Sequence, residues 1–248
     1  MIKNNINKII KKKKFKWQEY HQKSSLKKND LKFKKIRKNY IIFPIYKSYP
    51  RLNKFILPKP KLPFFDFKKA LKKRSSFRKF SNKKISKEKI SSLIYHSCGI
   101  INFNDLLISR RYYPSAGALY PIETYIIILN AHFPKGIYHY HVKKNYFEQI
   151  IKNDNLNLKN YFPQEFVYRS SFIIILTADI KRSMQKYGER AYRYSLIEAG
   201  HIGQNILLIS VLLNIKSCPI GAFYDYELKK LLDLQDQEEI LYCFAIGN

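Results

Sequence analysis

The 248-residue chain has little of several things that mark common protein classes. Its three cysteines, Cys98, Cys218 and Cys243, are far apart and odd in number, which excludes a C-x-x-C redox pair and a disulfide framework. A reducing, cytoplasmic setting is therefore expected. There are only eight glycines, and neither G-x-G-x-x-G nor G-x-x-x-x-G-K-[ST] occurs, so a Rossmann dinucleotide site and a P-loop are both excluded. Apolar runs such as 206–213 and 172–176 fall short of the roughly 18 residues that a spanning helix requires, and no membrane span is expected. The basic start has no apolar stretch before Lys11 to Lys14, which excludes a secretory signal, and its Lys-rich, Arg-poor character argues against an organelle transit peptide.

Acidic residues are also scarce. Eighteen Asp and Glu face 47 Lys and Arg, for a formal charge of +29. The excess sits at one end: residues 1–90 carry 31 basic and 4 acidic side chains, and residues 91–248 carry 16 and 14. Such a basic end suggests nucleic acid or another polyanion as partner. The composition offers a plainer cause, because Lys, Ile, Tyr, Asn and Phe supply 126 of the 248 residues and all have A/T-rich codons. Nucleic acid is accordingly not favoured as a partner.

The chain divides into a basic N-terminal extension, 1–63, whose second half is punctuated by Pro44, Pro50, Pro58, Pro60 and Pro63, and a domain over 64–248. Helical spacing is read over 64–73, and again after Ser86, where Ile90, Leu93, Ile94 and Cys98 recur and Gly99 stops the helix. Apolar β-branched runs predict strands over 124–129, 137–142, 146–151, 172–177 and 240–246, with Lys143-Lys144-Asn145 turning a hairpin. The longest helical pattern covers 189–214, with a short helix over 226–232. Ala199, Gly200 and Gly203 leave one side of the long helix nearly bare, so a second backbone, such as another subunit, is expected close by. The order is α+β rather than a regular βαβ alternation.

Three features carry chemistry. Arg74, Ser76 and Arg78 alternate, so an extended segment would turn two guanidinium groups and a hydroxyl to one side, as a phosphate requires. Pro114-Ser115-Ala116-Gly117-Ala118-Leu119-Tyr120-Pro121 sets small residues between two prolines, where backbone groups can approach a flat ligand. His139 and His141 share one strand face, but no third residue completes a metal set, so no metal is expected. Lys186-Tyr187, ahead of the long helix, reads by residue type alone as an exposed helix-entry dipeptide, and His201 and Gln204 read as satisfied polar groups at a helix interface.

In order and spacing, R-x-S-x-R, PSAGALYP, GIYHYH, KYGERAYRYSLIEAGHIGQN and CPIGAF resemble the nitroreductase-like flavoproteins, and within them the SagB-type dehydrogenases, over about residues 64–247. Upstream, Tyr20-His21 with Ser24 resembles the short Y-H-x-x-[ST] segment of those proteins. The resemblance implies an α+β nitroreductase-like fold: a central, mostly antiparallel sheet flanked by helices, with a long central helix at a dimer interface. It implies FMN as cofactor, with Arg74, Ser76 and Arg78 on its phosphate and ribityl chain. Pro114, Ser115, Ala116, Gly117 and Ala118 would lie against the isoalloxazine ring, and Pro219, Ile220 and Gly221 would form a second loop on it. Lys186 and Tyr187 match the pair to which azoline-oxidising members assign catalysis, with Arg182, Arg190 and Arg193 as cationic neighbours that would make Lys186 a better base; because neighbours on a helix point apart, a loop is expected for this pair. Gln204-Asn205 would be in reach of a neighbouring subunit's cofactor. Broader nitroreductases often carry Asn where this chain has Ala118.

The function so implied is oxidation of thiazoline or oxazoline rings to azoles in a ribosomally made peptide by a homodimer, with a cyclodehydratase as a further partner. An NAD(P)H-dependent nitro or quinone reductase is the second reading. A nucleic-acid or anionic-partner binding module built on the extension, marked by steeply salt-dependent binding, is the third. The chain stops at Gly247-Asn248, where many nitroreductases continue into a segment that embraces the partner. A weaker dimer, or a phosphate site completed by the basic extension, is the corresponding expectation.

Overall fold

A computed structural model describes residues 16–25, 46–102, 110–152 and 155–248. Helices α1 (Lys16–Lys23), α2 (Phe67–Lys73) and α3 (Lys87–Cys98) and strand β1 (Lys54–Ile56) come first, followed by a two-stranded ribbon of β2 (Ile100–Asn102) and β3 (Arg110–Arg111). The main strands are β4 (Ile122–Ile128), β5 (Gly136–His141), β6 (Tyr146–Ile151) and β7 (Phe172–Asp179). Helices α4 (Lys181–Tyr187) and α5 (Arg190–Leu212), strand β8 (Lys216–Ile220), helix α6 (Asp225–Leu231) and strand β9 (Glu238–Gly247) complete the chain. The seven-stranded sheet has the order β1-β6-β5-β4-β7-β9-β8, and every neighbouring pair is antiparallel. The α+β class read from the sequence is the class observed.

Strands β4 and β5 are buried at every position, and β7 at every position but its last, because both faces of the sheet are covered. On β4, Ile122, Ile126 and Ile128 face a core built with Ile90, Leu93 and Ile94 of α3 and Ala199, Ile202 and Ile206 of α5. Tyr125 and Ile127 face the other way, onto Leu228 of α6 and the turns carrying Phe162 and Val167. The helix ends follow the local chemistry. Asp66 and Ser86 accept hydrogen bonds from Lys69 N and Lys89 N at the starts of α2 and α3, so the first helix begins at Phe67 and not at 64.

The long helix packs on its own sheet. A Cβ on Gly203 would stand 2.8 Å from Phe244 Cζ of β9, so the bareness of Gly203 is answered within the chain. Gly200 alone of the three small residues faces outward. By length and composition α5 is the kind of helix that could cross a membrane, yet half of its most apolar stretch is buried in the fold, as in a core helix.

Part of the extension is built into the sheet. β1 pairs with β6, Leu57 joins the core under α3, and Lys61 N and Pro58 O are bonded by Ser92 and Ser91. Residues 47–49 close the polar end of the second face. There Ser48 Oγ and Tyr49 N donate to Glu148 at 3.0 and 2.9 Å, and Tyr49 Oη meets Tyr125 Oη at 2.9 Å. Lys47 pairs with Glu238.

A buried charge chain lies beneath this plug. His139 Nδ1 and Nε2 stand 2.9 and 3.0 Å from Glu148 and Glu123, and Arg182 Nη2 binds the other Glu123 oxygen at 2.5 Å. With both ring nitrogens held by carboxylates, His139 is a charge partner and not half of a metal pair with His141, whose ring packs on Tyr146. Burial alone would lower the His139 pKa, but the hydrogen bonds that Glu123 and Glu148 accept from its ring outweigh it and hold it above the ordinary value. Burial would likewise raise Glu123, but Arg182 and then His139 hold it far below the usual carboxylate range; Glu148 is lowered by His139 and the Tyr49 amide.

The stabilisation due to the raised His139 is complete below its unfolded value of 6.5 and is lost as pH rises through its folded value. That due to the two carboxylates is complete above 4.5 and is lost as pH falls through their folded values. The melting temperature is expected to fall on both sides of a plateau. His139→Leu should remove the His139 share of the alkaline limb and cost on the order of 3 kcal/mol at neutral pH, because two buried carboxylates lose a partner; urea unfolding across pH measures both.

Candidate active site

The segment 114–121 is held in a costly conformation. Gly117, Ala118 and Tyr120 all have positive φ, 61°, 54° and 46°. For the two that carry a Cβ, such backbone costs on the order of 1–2 kcal/mol each and persists only where its surroundings enforce it. The surroundings do so here. Ser115 Oγ accepts from Tyr120 N at 2.9 Å, Ala118 N donates to Ser115 O at 3.0 Å, and Arg182 Nη1 donates to Tyr120 O at 3.1 Å. The Arg111 guanidinium lies 4.5 Å over the Tyr120 ring and donates to Tyr113 Oη, while Tyr113 meets Tyr120 edge to face. Asn205 of α5 donates to Tyr112 O at 3.1 Å, so this polar group of the long helix secures the segment from within the same chain.

Lys186 and Tyr187 arrive at this turn. They occupy the last turn of α4 and not a loop as expected. Neighbouring helical side chains do diverge, but both can reach Gly117 because it presents no Cβ. A Cβ there would stand 2.5 Å from Tyr187 Oη and 2.8 Å from Lys186 Nζ. Lys186 Nζ also lies 5.3 Å over the Tyr187 ring. The three arginines expected beside Lys186 are committed elsewhere: Arg182 to Glu123 and Asp179, and Arg190 and Arg193 to Ser24.

Arg74, Ser76 and Arg78 lie on an extended stretch after α2 that runs beside β8, with Phe77 N donating to Ser217 O at 3.0 Å. Among the described residues their side chains make no hydrogen bond or ion pair. Arg78 is close enough to Cys218 to oppose the upward pull of burial on that thiol. Pro219 and Ile220 are the last residues of β8, and Ile220 is buried; only Gly221 belongs to an exposed loop, with open space around it. The predicted residues thus gather into two groups, 74–78 with 217–221, and 114–118 with 186–187.

Glu198 of α5 was not singled out by sequence, although it is a lone acid on a buried helix face of Ala, Ile and Gly. It is 2% exposed, and among the described residues neither carboxyl oxygen has a partner at full hydrogen-bond geometry. Burial pushes it up to about 7, against the pull of the Ser115 hydroxyl, Arg111 and the Ile122 amide, which places it beneath the 114–121 turn. The cysteines play no comparable part. All three are buried, with pKa values raised by burial, to about 11 for Cys98, so they are poor nucleophiles.

The seven-stranded antiparallel sheet thus carries, apart from one another, an R-x-S-x-R segment without side-chain partners among the described residues and a strained small-residue turn. A model of the nitroreductase family matches residues 71–248, and the chain belongs to that family of oxidoreductases. It is 27% identical over 176 residues to a protein of Methanocaldococcus jannaschii classed among the nitroreductases, covering 69% of this chain and 86% of that one. The microcin B17-processing protein McbC of Escherichia coli is 26% identical over 136 residues, 52% of this chain and 50% of its own length. The fold recurs in a chain of the E. coli microcin synthetase McbBCD complex with truncated pro-MccB17 bound, with a TM-score of 0.57 and 20% identity over 93% of this chain and 86% of that one.

Two outcomes follow from this geometry. Gly117→Ala should cost about 1–2 kcal/mol in chemical denaturation, and Tyr187→Phe, which removes the oxygen that the new Cβ meets, should recover part of the loss in the double variant. Because the folded Glu198 value lies above its ordinary 4.5, its contribution is complete below 4.5 and is lost as pH rises through about 7. Glu198→Gln should remove that slope and raise stability at pH 8 by up to about 3 kcal/mol, at roughly 1.4 kcal/mol per pH unit.

Proposed function

We propose that the chain is an FMN-dependent, SagB-type dehydrogenase that oxidises thiazoline or oxazoline rings of a ribosomally made peptide to azoles. The observation that carries this reading is the convergence of Lys186 and Tyr187 on Gly117, at the turn where the family resemblance sets the flavin ring. The peptide-processing relative McbC supports the choice of substrate class.

The residues present fit the cofactor. Arg74, Ser76 and Arg78, whose side chains have no partner among the described residues, suit a phosphate. Gly117 and the left-handed backbone beside it would bring main-chain groups, together with the Lys186 and Tyr187 side chains, close to a flat ring. FMN bound there supplies the acceptor for the hydride that leaves the azoline ring. Lys186 takes the proton from the adjacent ring carbon and becomes an ammonium, so that one hydride and one proton leave together. The Tyr187 hydroxyl donates a hydrogen bond to the ring nitrogen and holds the azoline in place. The two groups of site residues suit a homodimer in which a second copy covers the exposed Leu196 and Ile197 of α5. A cyclodehydratase supplies the azoline.

Family membership also favours a second reading, in which NAD(P)H reduces the flavin and a nitroaromatic or quinone reoxidises it. One series of measurements separates the two. The purified chain is expected to take up FMN at micromolar concentration with a yellow bound spectrum. Lys186→Ala should lower azoline oxidation by at least a hundredfold and leave that spectrum intact. A colourless protein overturns both readings, whereas rapid bleaching by NADPH with no azoline oxidation selects the reductase.

A further inference from the structure

The Tyr20-His21-x-x-Ser24 motif lies outside the matched family region, yet the structure places it against the start of α5. Ser24 is buried. Its carbonyl accepts from Arg190 Nη1 at 2.7 Å, and its hydroxyl and the His21 carbonyl accept from Arg193 Nη2 at 2.5 and 3.2 Å. Tyr20 packs edge to face on Tyr192, at 5.8 Å, and under the Arg193 guanidinium. From Arg190 the contacts run inward. Its Nε donates to Tyr194 Oη at 2.8 Å, and the Tyr194 ring meets the Tyr187 ring edge to face at 5.0 Å. Tyr187 stands next to Gly188, the joint between α4 and α5, whose φ of 54° and ψ of −140° is a conformation essentially confined to glycine. With nothing within 4 Å of a Cβ on Gly188, the joint itself offers no packing to hold Tyr187 in place.

We infer that Arg190 and Tyr194 are positioning residues for Tyr187, and that the α1 segment sets them through Ser24. The segment reaches the active site without touching it. Its carbonyl fixes one end of the Arg190 guanidinium, the other end fixes the Tyr194 hydroxyl, and the Tyr194 ring limits where Tyr187 can swing about Gly188. This rests on the proposed azoline oxidation for its kinetic consequence, but not for its structural one.

The test uses the full chain loaded with FMN and three readouts. Hydrogen–deuterium exchange of the amides of residues 16–25 reports whether α1 is docked. Nitration of Tyr187 by tetranitromethane, mapped by mass spectrometry relative to the exposed Tyr226, reports the freedom of the phenol. Steady-state oxidation of an azoline peptide gives kcat and KM. Tyr194→Phe should leave exchange at residues 16–25 at its wild-type rate, raise relative Tyr187 nitration several-fold and lower kcat about tenfold with KM within a factor of two. The Arg190→Ala, Arg193→Ala double variant should also speed that exchange, and adding Tyr194→Phe to it should change nitration no further. Tyr187 nitration and kcat unchanged in Tyr194→Phe would overturn the inference, as would wild-type nitration and kcat in the double variant once α1 is released. If the wild-type chain oxidises no azoline while nitration follows the expected pattern, the reading of the reaction fails and the positioning of Tyr187 stands.

Discussion

The Glu123 carboxylate is the joint on which this structure depends. One oxygen receives Arg182, and the same guanidinium holds the Tyr120 carbonyl, so the anchor of α4 is also an anchor of the strained turn. The other oxygen receives His139, which passes the interaction to Glu148 and from there to the backbone and side chains at residues 48 and 49. The sheet edge, the plug over its polar end and the active-site turn therefore share one buried chain of charges. Such a chain is stable only when complete, because each member left alone would be an uncompensated charge in an apolar interior.

Around that joint the protein concentrates its irregularities. Positive φ at Ala118 and Tyr120, a glycine that admits two side chains, and a buried acid without a hydrogen-bond partner among the described residues gather around the 114–121 turn. Strain and unsatisfied polarity of this kind are found where function requires backbone or charge to be held against its preference. Elsewhere the packing is conventional, with aromatic clusters such as Phe55, Phe133, Tyr138 and Phe147 filling the space between sheet and extension.

The strands were legible because a run such as FIIILT has no helical period and is too short for a helix buried on all sides; the strand extends to Asp179 because tertiary pairing with β9 continues past the apolar residues. The N-cap at Ser86 and the turn at Asn145 were legible from local chemistry. The placement of Lys186-Tyr187 was not, because the reason both reach one point is the missing Cβ of Gly117, some seventy residues away. Glu198 was passed over because a lone Glu in a helix is ordinarily solvated, and only burial on both sides makes it unusual. Arg182, Arg190 and Arg193 look alike in sequence, and which anion each one meets is set by contacts far along the chain.

The basic extension divides along the same line. Composition alone determined that the charge belongs to the first third of the chain and that the remainder is nearly neutral. Which of those residues are structural was decided by the fold: 47–49 on the charge chain, 54–57 on the sheet edge and core, and Ser24 on Arg190. The sequence by itself determined the α+β class, the strand and helix segments and the motifs of the site, because periodicity and small-residue spacing are local properties. The tertiary structure decided which side chains meet at Gly117, which carboxylates are buried and where the arginines are committed. Those are contacts between residues distant in sequence, and no local pattern records them.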